Sequence, residues 1–314
     1  MAPKKVLQGE RFILKPEDPL FPDAFKSLTQ VPVAIYGVGN PEALREGLAI
    51  VGARKASPYG LSCSRRFAAR AAEKGVTVIS GGALGCDGEA HRGALDAKGS
   101  TVCFLGGGCD SLYPASHFSL FQEIVDGGGA VVSEHLWDVR PAPYMFRLRN
   151  RLIAALSRAT LIAEAGMPSG TFSTADEALA SNREVLAIPG PITSFLSQGT
   201  NYLIKQGATP IIDDVTFDDA LFWLFGTLKE PVCAPSDGAG TQGKITSQEG
   251  TLEAVVERVL CTGPMRLDDL LRNKEIMEHS GDDTLAVSHL LVALCALETS
   301  GAVQLYGDGR YAVK

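Results

Sequence analysis

Seven cysteines (Cys63, Cys86, Cys103, Cys109, Cys233, Cys261, Cys295) are scattered through the 314 residues with no Cys-x-x-Cys spacing. An odd, unclustered set argues against both a disulfide framework and a zinc site. No apolar run is long enough to cross a bilayer, and Met1-Ala2-Pro3-Lys4-Lys5 lacks the apolar core of a signal peptide. A reduced, cytoplasmic setting is therefore the expectation. Charge is sparse at 21% and net negative at −7, which excludes a surface coated for nucleic acid, so any polyanion site must be a local patch. No Gly-x-x-x-x-Gly-Lys-Ser/Thr occurs, and the Ser80 loop lacks the spacing and ribose-binding acid of a dinucleotide fingerprint. Neither Ser80 nor Ser133 sits in a Gly-x-Ser-x-Gly elbow.

What is present describes a folded α/β protein. Hydrophobic residues make up 45% and there are 34 glycines, enough chain for one large domain and a small one. Short apolar runs at 49–51, 76–80, 101–105, 130–133, 160–163, 184–188 and 210–212 alternate with helical patterns near 60–74, 88–98, 116–126, 147–157, 171–182 and 198–206. That alternation predicts βαβ units and an extended Rossmann-like, doubly wound, mostly parallel sheet over 32–227. Residues 1–31 read as a short N-terminal extension. Residues 228–250 lose periodicity and collect Gly, Pro, Ser and Thr, which reads as a linker. Beyond it, 251–314 offers three helices (251–261, 266–273, 285–299) and a hairpin around Tyr306-Gly307-Asp308-Gly309, the layout of a small winged helix.

Two features suggest chemistry. Between Val139 and Ala163 there are five arginines (Arg140, Arg147, Arg149, Arg151, Arg158) and no carboxylate. Without local acidic partners, Phe146-Arg147-Leu148-Arg149-Asn150-Arg151 reads as a site for something anionic and planar, nucleic acid or nucleotide. Glycine-rich loops also follow successive strands: Gly52–Ser57, Ser80–Asp87, Gly106–Asp110, Ser169-Gly170-Thr171, Pro189-Gly190 and Gly199-Thr200-Asn201. In an open parallel sheet such loops share the carboxyl edge, where ligands bind.

Other residues read more plainly. His91, one turn after Asp87, is expected to pair with it structurally rather than bind metal, although His117, His135, Asp110 and Glu134 are conceivable further ligands. Arg65, Arg66, Arg70 and Lys74 read as a solvated helix face. Residues 251–314 carry six Lys/Arg against ten Asp/Glu, and 285–299 holds no Lys or Arg. A winged helix that reads DNA must offer cations to phosphates, so this module is expected to contact protein or regulate.

The succession Ile50-Val51-Gly52-Ala53-Arg54, Ser80-Gly81-Gly82-Ala83-Leu84-Gly85-Cys86-Asp87-Gly88-Glu89-Ala90-His91, Gly107-Gly108-Cys109-Asp110-x-x-Tyr113-Pro114, Ser133-Glu134, Arg149-Asn150-Arg151, Ser169-Gly170-Thr171, Pro189-Gly190 and Gly199-Thr200-Asn201 closely resembles the DprA/Smf family over about 32–213. The resemblance implies a cytoplasmic homodimer that binds and protects single-stranded DNA during natural transformation and promotes loading of RecA, with no cofactor and no catalytic activity. It places Arg54, Phe146, Arg147, Arg149 and Arg151 in a basic pocket, with Gly52, Ser80, Gly81, Ser169, Gly170 and Thr171 supplying backbone and hydroxyl donors. Arg147 stands where the family has proline, and the family's frequent N-terminal SAM-like domain has no counterpart in the roughly thirty leading residues. In this reading Arg54, Arg147, Arg149 and Arg151 hold successive phosphates while Phe146 or Tyr144 stacks a base.

Two alternatives remain: a phosphoribohydrolase-type nucleotide-processing enzyme and a small-nucleotide sensor. The enzymes use Pro-Gly-Gly-x-Gly-Thr-x-x-Glu. Here Met167-Pro168-Ser169-Gly170-Thr171-Phe172-Ser173-Thr174 puts Thr174 in the glutamate's place.

Overall fold

A computed structural model describes residues 6–167, 170, 174, 175, 177, 178, 183–226, 251–260, 265–280, 286–300, 302–305 and 310–313. The chain divides into two compact units, Met1–Val232 and Cys233–Lys314. The expected helix at 171–182 (largely), the linker 228–250 and the hairpin turn 306–309 lie outside the described residues.

The first unit is built on nine strands: β1 (Arg11–Leu14), β2 (Ile35–Gly39), β3 (Gly47–Val51), β4 (Val78–Ser80), β5 (Thr101–Phe104), β6 (Ala130–Ser133), β7 (Ser157–Ile162), β8 (Glu184–Ala187) and β9 (Thr209–Pro210). They lie in the order β1-β2-β6-β5-β4-β3-β7-β8-β9. From β6 to β9 every pairing is parallel, whereas β1–β2 and β2–β6 are antiparallel. Strands β3 to β6 are buried along their whole length, which is why each reads as an unbroken apolar run. The doubly wound sheet is as expected, with one correction. The stretch 1–31 is not a mere extension: it supplies edge strand β1, and Phe12, Leu14, Phe21 and Phe25 enter the core.

Helices cover both faces. On one, α2 (Pro58–Glu73) and α3 (Cys86–Asp96) pack closely through small residues, Ala68, Ala71, Ala90 and Ala94, with Phe67 against Phe217 and Leu221 of α7 (Asp214–Phe225). On the other lie α1 (Asp23–Lys26) and α5 (Pro143–Leu156), while α4 (Phe118–Asp126) continues the first face beside α3, against Cys103 and Val131, and α6 (Gln198–Lys205) shares the second face with α5 through Leu203. The chain lays down β3 to β6 in one direction. It then returns through α5, which lies over β5, β4 and β3, to start β7 on the far side of β3. The order of strands therefore reverses between β3 and β7, the point where open α/β sheets form a crevice.

Helix α5 controls what that crevice contains. Pro143 opens it at the first turn, where proline's missing N–H costs nothing. Met145, Arg149, Leu152, Ile153 and Leu156 recur at helical spacing and are all buried. Arg149 thus falls on the core stripe by phase, whereas Arg147, two residues back and about 200° around the axis, faces solvent. The expected start at 147 is corrected to Pro143.

In the second unit α8 (Leu252–Leu260), α9 (Leu267–Leu271), α10 (Lys274–Ser280) and α11 (Ala286–Ser300) accompany β10 (Met265–Arg266), β11 (Val303–Leu305) and β12 (Arg310–Val313) in the order β10-β12-β11. Val256, Leu270, Ile276, Leu290 and Leu294 form its core. The expected middle helix at 266–273 spans Leu267–Leu271, Lys274–Ser280 is a further helix that was not expected, and the order of elements is compatible with a winged helix.

Candidate functional site

A pocket of about 480 Å³ opens at the carboxyl ends of β3 and β7. The β3 loop contributes Gly52, Ala53, Arg54 and Lys55. Phe146, Arg147, Arg149 and Asn150 come from α5, and Gly166, Gly170 and Thr174 follow β7. Arg54, Lys55 and Arg147 are exposed, and no carboxylate among the described residues pairs with them. The Arg54 guanidinium lies over the Phe146 ring with Cζ 5.3 Å from its centre, a cation–π contact that also holds the ring at the pocket wall.

Arg149 forms the floor. It is only 5% exposed, and its Nη1 donates to the carbonyls of Gly81, at 2.8 Å, and Phe104. Burial lowers its pKa, with nearby Asp87 opposing the shift. Burial likewise raises the pKa of Asp87, opposed first by Arg149. The two groups stabilise each other's charged forms in a desolvated place. A Cβ at Gly81 would overlap the Arg149 guanidinium, which would have to shift from its bonds to the Gly81 and Phe104 carbonyls.

The loops are positioned by internal carboxylates. Glu164, 2% exposed just past β7, accepts from the Ser57 N–H at 2.7 Å and the Ser57 hydroxyl at 2.6 Å, and its carbonyl accepts from Ala53 N–H at 2.8 Å. It therefore stands at the N-terminus of α2, a position favourable to an anion. Asp87 accepts from Ala83 N–H at 3.4 Å, and Gly52 N–H also favours its charged form. Gly85, at φ +81°, carries the turn into α3 beneath these loops.

The expected site residues separate on this geometry. Arg54, Phe146, Arg147, Arg149, Gly52 and Gly170 line the main pocket, and Gly81 lines a smaller slot beside it. Ser80 does not reach either: its hydroxyl is fully buried and donates to the Ile50 carbonyl at 2.6 Å. Arg151 is turned away and pairs with Glu134 at 2.6 Å, so the expectation that these arginines have no acidic partner is corrected. Arg158 likewise pairs with Glu46 at 2.8 Å. Ser169 and Thr171 lie outside the described residues. Tyr144 is exposed and lines neither pocket.

Other expectations are also revised. His91 does not pair with Asp87; its Nδ1 meets the Thr101 hydroxyl at 2.7 Å. No metal-ligating cluster of three His, Cys, Asp or Glu residues exists among the described residues. Lys55 and Glu164 are further residues of the site. Lys55 was legible as the neighbour of Arg54, but nothing local ties Glu164 to Ser57, 107 positions away.

Fold and site together define a doubly wound α/β protein with a basic crevice at its topological switch point. Residues 12–220 match the family model of DNA recombination-mediator protein A, and the chain belongs to that family. It is 38% identical over 224 residues to Protein Smf of Escherichia coli, covering 69% of this chain and 59% of that protein. To the Putative DNA processing protein DprA of Mycobacterium tuberculosis it is 40% identical over 246 residues, covering 72% and 63%. The chain thus spans about six-tenths of the length of these relatives. Among solved structures, DNA processing protein A (DprA) from Streptococcus pneumoniae superposes with TM-score 0.62 and 31% identity, over 66% of this chain and 73% of that one. DNA processing protein A from Helicobacter pylori, whose structure describes a single-stranded DNA binding mode, gives 0.62 and 31% over 68% and 97%. No described helix is long and apolar enough to cross a membrane.

Proposed function

We propose that this protein binds single-stranded DNA in the crevice between β3 and β7 and acts as a recombination mediator in natural transformation. The observation that carries the proposal is the set of exposed cations, Arg54, Lys55 and Arg147, without carboxylate partners among the described residues and lining one pocket with Phe146, over which Arg54 lies. Phosphates meet the exposed cations at the rim and a base stacks on the half-buried aromatic ring, a combination that tolerates any sequence. Arg149 acts from beneath as a fixed positive charge, with Gly170, and Ser169 and Thr171 beside it, contributing donors. Gly52, Ser80 and Gly81 shape the loops. Arg151 orients α5 through Glu134.

The protein works without a cofactor or catalytic step. Among the described lining residues Asp87 alone carries a carboxylate, and it is held against Arg149 and loop N–H groups. Thr174, where a phosphoribohydrolase would place glutamate, also lines the pocket. Two copies acting as a cytoplasmic homodimer gain avidity on longer strands and hand the strand to RecA. The acidic second unit contacts protein.

Fluorescent oligo-dT titration tests the binding. Tight association that weakens steeply with salt supports it. Cleavage of a nucleoside monophosphate without oligo-dT binding contradicts it in favour of the enzyme. RecA filament formation on DNA coated by single-strand-binding protein tests mediation, with faster nucleation on adding this protein as the expected result.

A further inference from the structure

Helix α11 (Ala286–Ser300) of the second unit is apolar on both sides. Leu290, Ala293, Leu294 and Leu297 are buried, and the three leucines belong to that unit's core. The opposite side carries Val287, Leu291, Val292, Cys295 and Ala296, all exposed, with Val292 at 67%. At spacings of four they make two adjoining ridges along a helix about 22 Å long. Glu298, in the last turn, is the only Asp, Glu, Lys or Arg between Ala286 and Ser300. A helix that is hydrophobic all round is ordinarily buried all round, and a contiguous exposed apolar surface marks a contact site. Helix α2 shows the ordinary case, with its outer face given to arginines paired with carboxylates.

We infer that this stripe docks a basic amphipathic helix of a partner protein, with its apolar side on α11 and Lys or Arg at its ends. This rests on the reading above that the second unit contacts protein. Charge selects the partner. From Glu275 to Gly309 the chain holds six carboxylates and no Lys or Arg. Asp282 and Asp283 come shortly before the helix in the sequence, and Glu298 lies in its last turn. Nucleic acid finds no cation here for its phosphates. A second copy would set carboxylates against carboxylates at the ends, whichever way the two helices run. A segment with cations flanking an apolar face complements both features. Backbone chemistry selects its conformation. The apolar stripe offers an extended segment no partners for its N–H and C=O groups, whereas a helix satisfies its own. Apolar residues recurring every three or four positions then seat between the two ridges.

The test uses the full chain and three fluorescent peptides of about 18 residues, roughly five helical turns. One has Leu on one face and Lys on the other, the second replaces Lys with Glu, and the third scrambles the Leu/Lys sequence. The Leu/Lys helix should bind on the order of tenfold more tightly than either control. Leu291→Ser/Val292→Ser should weaken it on the order of tenfold and leave oligo-dT binding unchanged. Val33→Ser, at a residue of the first unit that is 88% exposed, should leave both unchanged. In the wild type, the exposed Cys295 thiol should alkylate more slowly with the Leu/Lys helix bound than with the scrambled peptide. Equal binding of the Lys and Glu designs overturns the proposal. If the Leu/Lys helix binds the double variant as well as wild type and leaves Cys295 open, the stripe fails and the protein-contacting reading of the second unit stands. If no peptide binds and the double variant dissociates a concentration-dependent oligomer, the occupant is a second copy and the proposal is overturned. If no peptide binds and the mass is the same in both proteins, the stripe and the protein-contacting reading fail together.

Discussion

Helix α2 carries Arg65, Arg66, Arg70 and Lys74, and each meets a carboxylate: Arg65 pairs with Glu89 and Asp96, Arg66 with Asp214, and Arg70 and Lys74 with Asp218. The crevice rim carries Arg54, Lys55 and Arg147, exposed like Arg65 and Arg66, with no such partner among the described residues. Composition cannot tell the two surfaces apart. The α2 cations close on carboxylates of α3 and α7, so that face is nearly neutral and its ion pairs contribute little each, about 0–1 kcal/mol. The rim leaves its field pointing outward in a crevice, where low-dielectric walls focus it. A positive residue is a binding residue only when the fold withholds its counter-charge.

The largest expected effect tests that difference directly. Arg54→Ala/Arg147→Ala should reduce oligo-dT affinity on the order of a hundredfold, since charge-assisted contacts are each worth about 1.5–3 kcal/mol. Arg66→Ala/Arg70→Ala should leave it within about twofold. Equal losses from the two pairs would erase the distinction between the surfaces.

Next in size is Gly81→Ala. Its Cβ would overlap the Arg149 guanidinium, an overpacking that should cost about 1–3 kcal/mol in denaturant unfolding. At Gly75 a Cβ meets nothing within 4 Å but the φ of +74° strains most side chains, so Gly75→Asn is the fair control and should lose less.

A pH effect follows from His91 beneath the crevice. Burial, helped by His117, Arg149 and Arg92, pushes its pKa down to about 3, against about 6.5 in the unfolded chain. Between those values the unfolded state binds a proton that the folded state does not, so stability falls as pH drops from about 6.5 toward 3. Asp87, raised by burial, works in the opposite sense. His91→Asn, which can keep the hydrogen bond to Thr101, should flatten the fall between pH 6.5 and 4. An unchanged slope would remove His91 from the account.

The smallest effect is expected at Glu164→Gln, which keeps shape but loses the charge at the α2 N-terminus. Thermal stability should drop by about 1 kcal/mol, and oligo-dT affinity should fall only slightly as the Arg54 loop loosens. A variant as stable as wild type would show that Ser57 does not need the carboxylate.

Legibility in the sequence followed physical range. Strands β3 to β6, buried on both faces, announce themselves as continuous apolar runs. Strands β1 and β2 do not: Ile35-Tyr36-Gly37-Val38-Gly39 is glycine-rich because the Phe12 ring of β1 occupies the space of a Gly37 side chain, a reason visible only once the strands pair. The arginine phrase drew attention through composition, and helical phase then divided it. Arg147 faces out, Arg149 faces the core stripe, and Arg151 finds Glu134. The partner sits outside the carboxylate-free window 139–163, so the local absence of acid misled. Glu164 and Ser57 illustrate the same limit, since long-range pairing leaves no local mark.

The most direct test of the central claim is the slope of log affinity for oligo-dT against log salt concentration, in wild type and Arg54→Ala/Arg147→Ala. Each phosphate neutralised on a single strand contributes about 0.7 to that slope. The account predicts a steep wild-type slope that becomes shallower by about 1.4 in the double variant. A slope that is the same in both proteins would contradict it.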